Sequence, residues 1–271
     1  MPTPKPMLCG SISARPSPLG TAMHNAGYRA LDLPFVYVAF SIDNPQEAVL
    51  AMRYLGIRGF AVSMPHKIAI MPYLDTIDET AAKIGAVNTI VNDDGHLTGY
   101  NTDWVGAVHA LEEKVDLSGK RSVVVGAGGA ARAIVYGLVE RGSHVTIFNR
   151  TPESGAALAR NFGAAFGGGL AELASAGEYD VLVNATSVGF HASEASIVPA
   201  SMLQAGSTVL DAVFLPPQTK LLRDAGARGC ITVQGTRMLV HQALFQFELY
   251  TGVAAPLEVM EEALLATIGE L

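Results

Sequence analysis

The stretch from Arg121 to Thr151, RSVVVGAGGAARAIVYGLVERGSHVTIFNRT, constrains this chain more than any other. A β-branched run, Val123 to Val125, meets a turn built from Gly126, Ala127, Gly128, Gly129 and Ala130. A helical pattern follows, and a second apolar run, Val145 to Phe148, ends in Asn149-Arg150-Thr151. Strand, glycine turn, helix and strand in that order make the nucleotide-binding half of a doubly wound α/β fold. Gly126 permits the tight turn out of the strand, and Gly128 lets the backbone approach a pyrophosphate. Ala131, small like the third glycine of the fingerprint, lets helix and strand pack. The N–H groups and dipole at the start of the helix attract the anion.

The end of the second strand selects the nucleotide. NAD-binding versions usually carry Asp or Glu there for the ribose 2′-hydroxyl. This chain has Asn149 and then Arg150. A carboxylate repels a 2′-phosphate, whereas a guanidinium holds it with two parallel hydrogen bonds. The expected cofactor is therefore NADP ahead of NAD, with Glu153 nearby as a counterweight.

Length and composition limit the rest. The chain has 271 residues, 49% hydrophobic and 16% charged, which suits a compact protein of two modest domains and argues against disorder. Its formal net charge is −7 and it has no basic stripe, so nucleic acid is not an expected partner. The opening MPTPKPMLCG lacks a signal peptide's apolar core, and no apolar run reaches membrane-spanning length. Cys9 and Cys230 stand far apart and read most simply as reduced thiols of a cytoplasmic protein. No His/Cys cluster has ligand spacing, so no metal is expected.

Ahead of the glycine turn, Phe35 to Phe40 and Ile57 to Val62 read as buried strands. Between them Asn44 to Leu55 reads as a helix, with Asn44 as cap, Pro45 at the first position and Glu47 in a capping-box-like spacing. Thr76 to Ile84 reads as a short helix. Val87 to Val91 and His96 to Tyr100 flank the hairpin signal Asp94-Gly95, and a helix is expected from Asp103 to Lys114. Beyond Thr151, helices are expected over Glu153 to Asn161, Leu221 to Ala225, Met238 to Tyr250 and Pro256 to Ile268. Strands are expected over Val181 to Ala185, Thr208 to Val213 and Ile231 to Val233, with Gly167-Gly168-Gly169 as a loop. The pattern predicts two lobes. One is a mixed α/β substrate-binding domain of residues 1–102 plus 239–271, and the other a parallel, Rossmann-type NADP-binding domain of residues 103–238.

Several short clusters carry polar groups at strand ends. Lys67, in Ser63-Met64-Pro65-His66-Lys67, follows a strand and stands near a proline; taken alone it reads more readily as a surface charge than as a catalytic group. Asn88-Thr89 interrupts an apolar strand, and a buried amide there either ties loops together or meets a ligand. Asp103, in Asn101-Thr102-Asp103, is a catalytic candidate or simply an N-cap. Asn184-Ala185-Thr186-Ser187 follows a strand of the doubly wound half, where loops face the cofactor. Gln242 lies among apolar residues of a helix.

Taken in order with Ser17-Pro18, Gly85 to Thr89, Asp211 to Thr219 and Gly235 to Gln242, these segments resemble the shikimate dehydrogenase family over nearly the whole chain. That family reduces 3-dehydroshikimate with NADPH. The resemblance implies that Lys67 and Asp103 are the catalytic pair and that Ser17, Ser63, Asn88 and Gln242 contact the polyol acid. It also implies that Asn184 to Ser187 and Met238 face the nicotinamide. Oxidising a secondary alcohol sends a hydride to the nicotinamide and a proton to a base, work suited to a lysine–aspartate pair. A monomer or homodimer is expected.

The chain departs from the family pattern in places. Arg15-Pro16-Ser17-Pro18 stands where the family has Ser-Lys-Ser-Pro, so Arg15 replaces a serine that holds the substrate carboxylate. Arg15 either grips a carboxylate, reshapes the pocket for another acid, or faces solvent. Phe214 replaces a tyrosine and Thr236-Arg237 replaces Leu-Gly near the cofactor. The Arg-Pro-Ser run resembles the divergent shikimate dehydrogenase-like branch. Such swaps can change the substrate. The alternatives to shikimate are quinate or another analogue, or an NADP-binding sensor with weak chemistry.

Overall fold

The computed structural model describes residues 6–191 and 194–270; the first five residues of the opening stretch lie outside them. The chain divides into two compact units. One runs through Thr102 and resumes at Gln242; the other is Asp103–His241.

The first unit contains β1 (Met7–Ser13), α1 (Pro18–Ala30), β2 (Phe35–Ser41), α2 (Pro45–Leu55), β3 (Gly59–Val62), α3 (His66–Ala69), β4 (Thr76–Ile77), α4 (Glu79–Ile84), β5 (Thr89–Asp93) and β6 (His96–Tyr100). Its six-stranded sheet has the order β2-β1-β3-β5-β6-β4. β1 lies parallel to β2 and β3, β5 is antiparallel to β3 and β6, and β4 is parallel to β6. Asp94 and Gly95 both take positive φ, as a two-residue hairpin of type I′ requires. Asn44 caps α2 by accepting the Gln46 N–H at 2.9 Å, and its amide donates to Glu47 at 3.1 Å. Gly56, in the left-handed region at φ 63°, ends that helix.

The structure corrects several expectations here. β1 and α1 go unmarked in the sequence pattern because glycines interrupt both: Gly10 in β1, Gly20 and Gly27 in α1. Gly27 is required by packing, since a Cβ there would meet the Phe247 ring at 2.8 Å. β2 is an edge strand rather than a buried one, with Val36 and Val38 turned outward (45% and 38% exposed) on either side of buried Tyr37. The helix expected over Thr76 to Ile84 is split. Thr76 and Ile77 pair with β6, and Asp78 then caps α4 by accepting the N–H groups of Thr80 and Ala81.

The second unit contains α5 (Asp103–Glu112), β7 (Arg121–Val125), α6 (Gly129–Glu140), β8 (His144–Phe148), α7 (Pro152–Phe162), β9 (Ala165–Gly168), β10 (Val181–Asn184), β11 (Thr208–Asp211), α8 (Lys220–Ala227) and β12 (Ile231–Val233). α9 (Gly235–Thr251) starts in this unit and runs into the first, to which α10 (Leu257–Gly269) also belongs. The sheet order is β12-β11-β10-β7-β8-β9, every pair parallel. Strand order reverses between β7 and β10, and the carboxyl ends of those two strands flank the crevice where doubly wound folds bind nucleotides. Gly167 and Gly168 are not loop residues but part of β9. At Gly167 any side chain would run into the Phe148 ring, so glycine is what lets this edge strand pair with β8. Among the described residues, no helix is long and apolar enough to cross a membrane.

In the first unit the buried rings of His24, Tyr28, Tyr37, Phe247 and Tyr250 pack together, with His24 stacked on Tyr37 at 4.3 Å. Arg58 closes this unit by donating to the carbonyls of Asn92 (2.8 Å) and Tyr250 (2.9 Å). Burial pushes His24 down to about 3, against a smaller opposing pull from the Gln246 side chain. The unfolded chain therefore takes up this proton first as pH falls, so stability is full above about pH 6.5 and is lost below it. The expected slope is about 1.4 kcal/mol per pH unit between roughly pH 6 and 4. Urea midpoints across that range for wild type and His24→Phe check it: the variant should show the shallower decline, and parallel declines would rule out His24 as the cause.

Candidate functional site

In the first unit the polar side chains gather where β3 and β6 end and β5 begins. β3 leads into Ser63, whose carbonyl accepts the His66 N–H at 3.0 Å and so starts α3. Buried His66 bonds the Ile42 carbonyl through Nε2 at 3.1 Å, fixing the short helix that carries Lys67. The Lys67 carbonyl accepts the Val87 N–H at 2.8 Å, and the Val62 N–H donates to the Asn88 carbonyl at 2.7 Å. Lys67 and Asn88 are thus held on one backbone framework rather than on mobile loops.

Asn88 is 2% exposed and fully engaged. Its Oδ1 accepts the Thr102 N–H at 2.7 Å and the Thr89 hydroxyl at 2.8 Å. Its Nδ2 donates to Thr102 Oγ1 at 3.0 Å and to Gln242 Oε1 at 3.4 Å. Gln246, one turn along α9, donates to Thr89 Oγ1 at 2.9 Å from beneath. The sequence left open whether Asn88 ties loops or meets a ligand; it does tie loops. Gln246 escaped the sequence reading, although two amides four residues apart on an apolar helix share a face and were a signal for it. Asp103 is buried and begins α5, directly after the Thr102 amide that Asn88 fixes; an acid in a helix's first turn is favoured by the dipole.

Ser17 caps α1, its hydroxyl oxygen accepting the Leu19 N–H at 3.3 Å, which leaves the hydroxyl proton for another acceptor. Arg15, two residues earlier, is exposed and makes no hydrogen bond or ion pair among the described residues. The Ser63 hydroxyl is likewise exposed and unengaged among them.

In the second unit the glycine turn has the form its sequence implies. Gly126 takes φ 124°, a conformation open to glycine, and a Cβ there would meet the Ala185 carbonyl oxygen at 2.9 Å. The loop after β7 therefore passes directly over the loop after β10. Gly128 is the N-cap of α6, with no side-chain cap and no acidic residue in the first turn. The leading N–H groups of Gly129 and Ala130 are left to a ligand, and a Cβ at Gly128 would face open space. Ala131 is fully buried against the sheet, and Ala127 and Met238 belong to the same core cluster.

After β8, Asn149 donates to the Thr151 carbonyl at 2.8 Å and shapes the turn into α7. Arg150 and Thr151 are exposed, and Thr151 stands at the N-cap without a side-chain bond to the helix. A guanidinium that makes no bond among the described residues, a hydroxyl and a helix N-terminus together suit a phosphate. After β10, buried Asn184 donates to Asp211 at 2.9 Å and to the Val188 carbonyl at 3.1 Å, and accepts from the Thr186 N–H and hydroxyl. Asn184 thus builds the loop that presents Thr186 and Ser187. Burial pushes the Asp211 carboxyl up, against hydrogen bonds from Thr219, Val213 and Asn184 that pull it down. Phe214 packs edge-on to Phe190 at 5.3 Å. Arg237 forms a two-pronged ion pair with Glu113.

The comparisons with known proteins follow this geometry. Residues 12–90 match the family model described as "Shikimate dehydrogenase substrate binding domain". Residues 109–211 match "Shikimate / quinate 5-dehydrogenase", and residues 235–265 match "Shikimate 5'-dehydrogenase C-terminal domain". The chain is 42% identical over 257 residues to the shikimate dehydrogenase (NADP(+)) of Methanothermobacter thermautotrophicus, covering 91% of each chain. It is similar to a crystal structure of a shikimate dehydrogenase in complex with NADP+, with TM-score 0.91 and 38% identity, covering 99% of this chain and 98% of the other. It is also similar to the Thermus thermophilus shikimate 5-dehydrogenase in complex with NADP(H) and shikimate, with TM-score 0.89 and 34% identity, covering 96% and 99%. With matches of this extent, the chain belongs to the shikimate dehydrogenase family.

Proposed function

We propose that this chain is an NADP-dependent dehydrogenase that interconverts 3-dehydroshikimate and shikimate or a closely related cyclohexene polyol acid. The unit made of residues through Thr102 and from Gln242 holds the acid, and the unit Asp103–His241 holds the cofactor. The observation that carries this reading is the rigid set around Asn88, in which amides and hydroxyls are ordered beside Lys67. A polyol in a pocket needs such fixed donors and acceptors, because disordered ones would lose their ordering entropy on binding.

Bound NADP supplies the hydride acceptor, or in its reduced form the donor. The chain's residues manage the proton. In the reducing direction the Lys67 ammonium donates a proton to the carbonyl oxygen as carbon gains the hydride. In the oxidising direction the hydroxyl proton returns to the Lys67 amine as the C=O bond forms, and the Asp103 carboxylate orients that amine by accepting one of its N–H bonds. Gln242, oriented by Asn88, fixes the ring hydroxyls, and Ser17 and Ser63 bind the acid. Arg15 brings a full charge to the carboxylate, where the family pattern has a neutral hydroxyl. The α6 N-terminus takes the pyrophosphate, and Arg150 with Thr151 takes the 2′-phosphate. A cytoplasmic setting fits Cys9 and Cys230, which form no disulfide.

Steady-state absorbance of the nicotinamide with shikimate and NADP tests the reading. Lys67→Ala should lower kcat by on the order of a hundredfold or more, with NADP affinity nearly unchanged. Wild-type protein that binds NADP tightly yet turns over no polyol acid would replace this reading with the sensor. Arg150→Ala should raise KM for NADP on the order of ten- to a hundredfold while leaving KM for NAD unaffected; equal effects on both would move the 2′-phosphate elsewhere. Arg15→Ser should raise KM for shikimate if the guanidinium grips the carboxylate, whereas an unchanged KM would remove Arg15 from the site.

A further inference from the structure

The chain leaves the first unit after Thr102 and returns at Gln242. On the first unit's side both residues are tied to Asn88. On the second unit's side a separate ionic cluster ties the two crossing elements, α5 and α9. Glu113, one residue past the end of α5, receives Nε and Nη2 of Arg237 from the first turn of α9. The same carboxylate bonds His241 Nε2 at 2.7 Å, and the His109 ring meets His241 edge-on at 5.6 Å. Arg237 and Glu113 are only 22% and 29% exposed at their side chains, so solvent screens this pair less than an open surface bridge. Burial raises the Glu113 carboxyl, but the hydrogen bonds from Arg237 and His241 outweigh it and hold the group below the usual carboxylate range.

The first turn of α9 is fixed on a second side as well. A Cβ at Gly235 would run into the backbone of Val213 and Asp211, so this turn lies hard against the chain leaving β11. Directly after the two anchors stands Met238, buried in the same cluster as Ala127 and Ala185 of the nucleotide loops. Both anchors stand within a few residues of this methionine.

We propose that Arg237 is a positioning residue for the reaction: its ion pair with Glu113 sets the first turn of α9 and, through it, Met238 at the nicotinamide end of the nucleotide site. This rests on the dehydrogenase reading above. The arginine acts through the helix turn and touches neither substrate nor cofactor. A bidentate guanidinium–carboxylate pair fixes orientation as well as distance, which a lysine would not. Misplacement of a supporting turn by a fraction of an ångström is felt in the barrier more than in ground-state affinity.

The test compares wild type, Arg237→Ala, Arg237→Lys, Glu113→Gln and the double variant Arg237→Ala/Glu113→Gln in full-length protein. For each, kcat, the KM values, the NADP dissociation constant from fluorescence titration and the melting temperature are measured. Arg237→Ala should lower kcat about tenfold, with the NADP dissociation constant changed less than about threefold. Arg237→Lys should recover part of that loss. The double variant should be no slower than the worse single variant, since both remove one interaction. A lower melting temperature with kcat intact well below it would make the cluster purely structural and overturn the proposal, as would additive losses in kcat. Wild-type protein without turnover would instead defeat the dehydrogenase reading and the positioning role with it.

Discussion

The Asn88 amide is the constraint on which the substrate-binding unit depends. It sits at 2% exposure among strand ends and beside the core-facing side of α9. An unmet buried amide costs on the order of 1–3 kcal/mol, so its partners are obligatory rather than incidental. Those partners are Thr89, Thr102 and Gln242, and the last two are the residues at which the chain leaves this unit and re-enters it. One side chain therefore joins three segments that are distant in sequence. The same group orders the polar surface that a polyol would meet, so fold and recognition draw on a single network. Gln246 extends it downward to Thr89 and explains why α9 carries two amides on a face that otherwise packs in the core.

The two units prepare for ligands in opposite ways. In the first, side chains satisfy one another before any ligand arrives. In the second, the nucleotide turn leaves backbone N–H groups without side-chain partners. Within the second unit the nucleotide turn also differs in its helix caps from α8. α1, α2, α4 and α8 begin with Ser17, Asn44, Asp78 and Thr219, each accepting a backbone N–H from its own helix. α6 and α7, which follow β7 and β8, begin with Gly128 and Thr151 and have no such bond, as is also true of α3 and α10, which begin with Pro65 and Pro256. Capping is thus lacking at the two helix starts where a dinucleotide's pyrophosphate and 2′-phosphate are proposed to bind, and each uncapped end keeps its partial positive charge.

What the sequence revealed followed from how local each signal was. The parallel sheet of the second unit was legible because its alternation of β-branched runs and helical patterns is short-range, and the glycine turn at Gly126 has one structural meaning. The Asp94-Gly95 hairpin and the Asn44 cap were legible for the same reason. The illegible parts were those where packing overrides propensity. Gly10, Gly27 and Gly167 weaken a strand or helix pattern, yet each sits where a neighbouring ring leaves no room for a side chain. That is why β1, α1 and β9 escaped notice. β2 looked buried because its residues are apolar on both faces, and nothing in six residues reveals that it ends a sheet. The candidate residues were found through their order along the chain, and their anchoring by His66, Gln246 and backbone bonds emerged only from the fold.

The two arginines that break the family pattern show how one residue type takes opposite roles. At both Arg15 and Arg237 the departure replaces a neutral group with a fixed charge. Arg15 stands exposed in the loop between β1 and α1, engaged with nothing among the described residues. A guanidinium in that state has no protein partner to give up and would gain a charged one from an incoming carboxylate, which is what the proposed recognition role requires. Arg237 is already paired with Glu113, and drawing it toward a ligand would leave a half-buried carboxylate with one fewer partner. Its charge is therefore used inside the protein, to hold a helix turn. Nothing local separates the two cases, because the partner that decides the matter lies 124 residues away from Arg237 in the chain. The meaning of a charge substitution near a site thus depends on whether the fold brings it a counterion, and that is a property of topology rather than of the motif in which the residue stands.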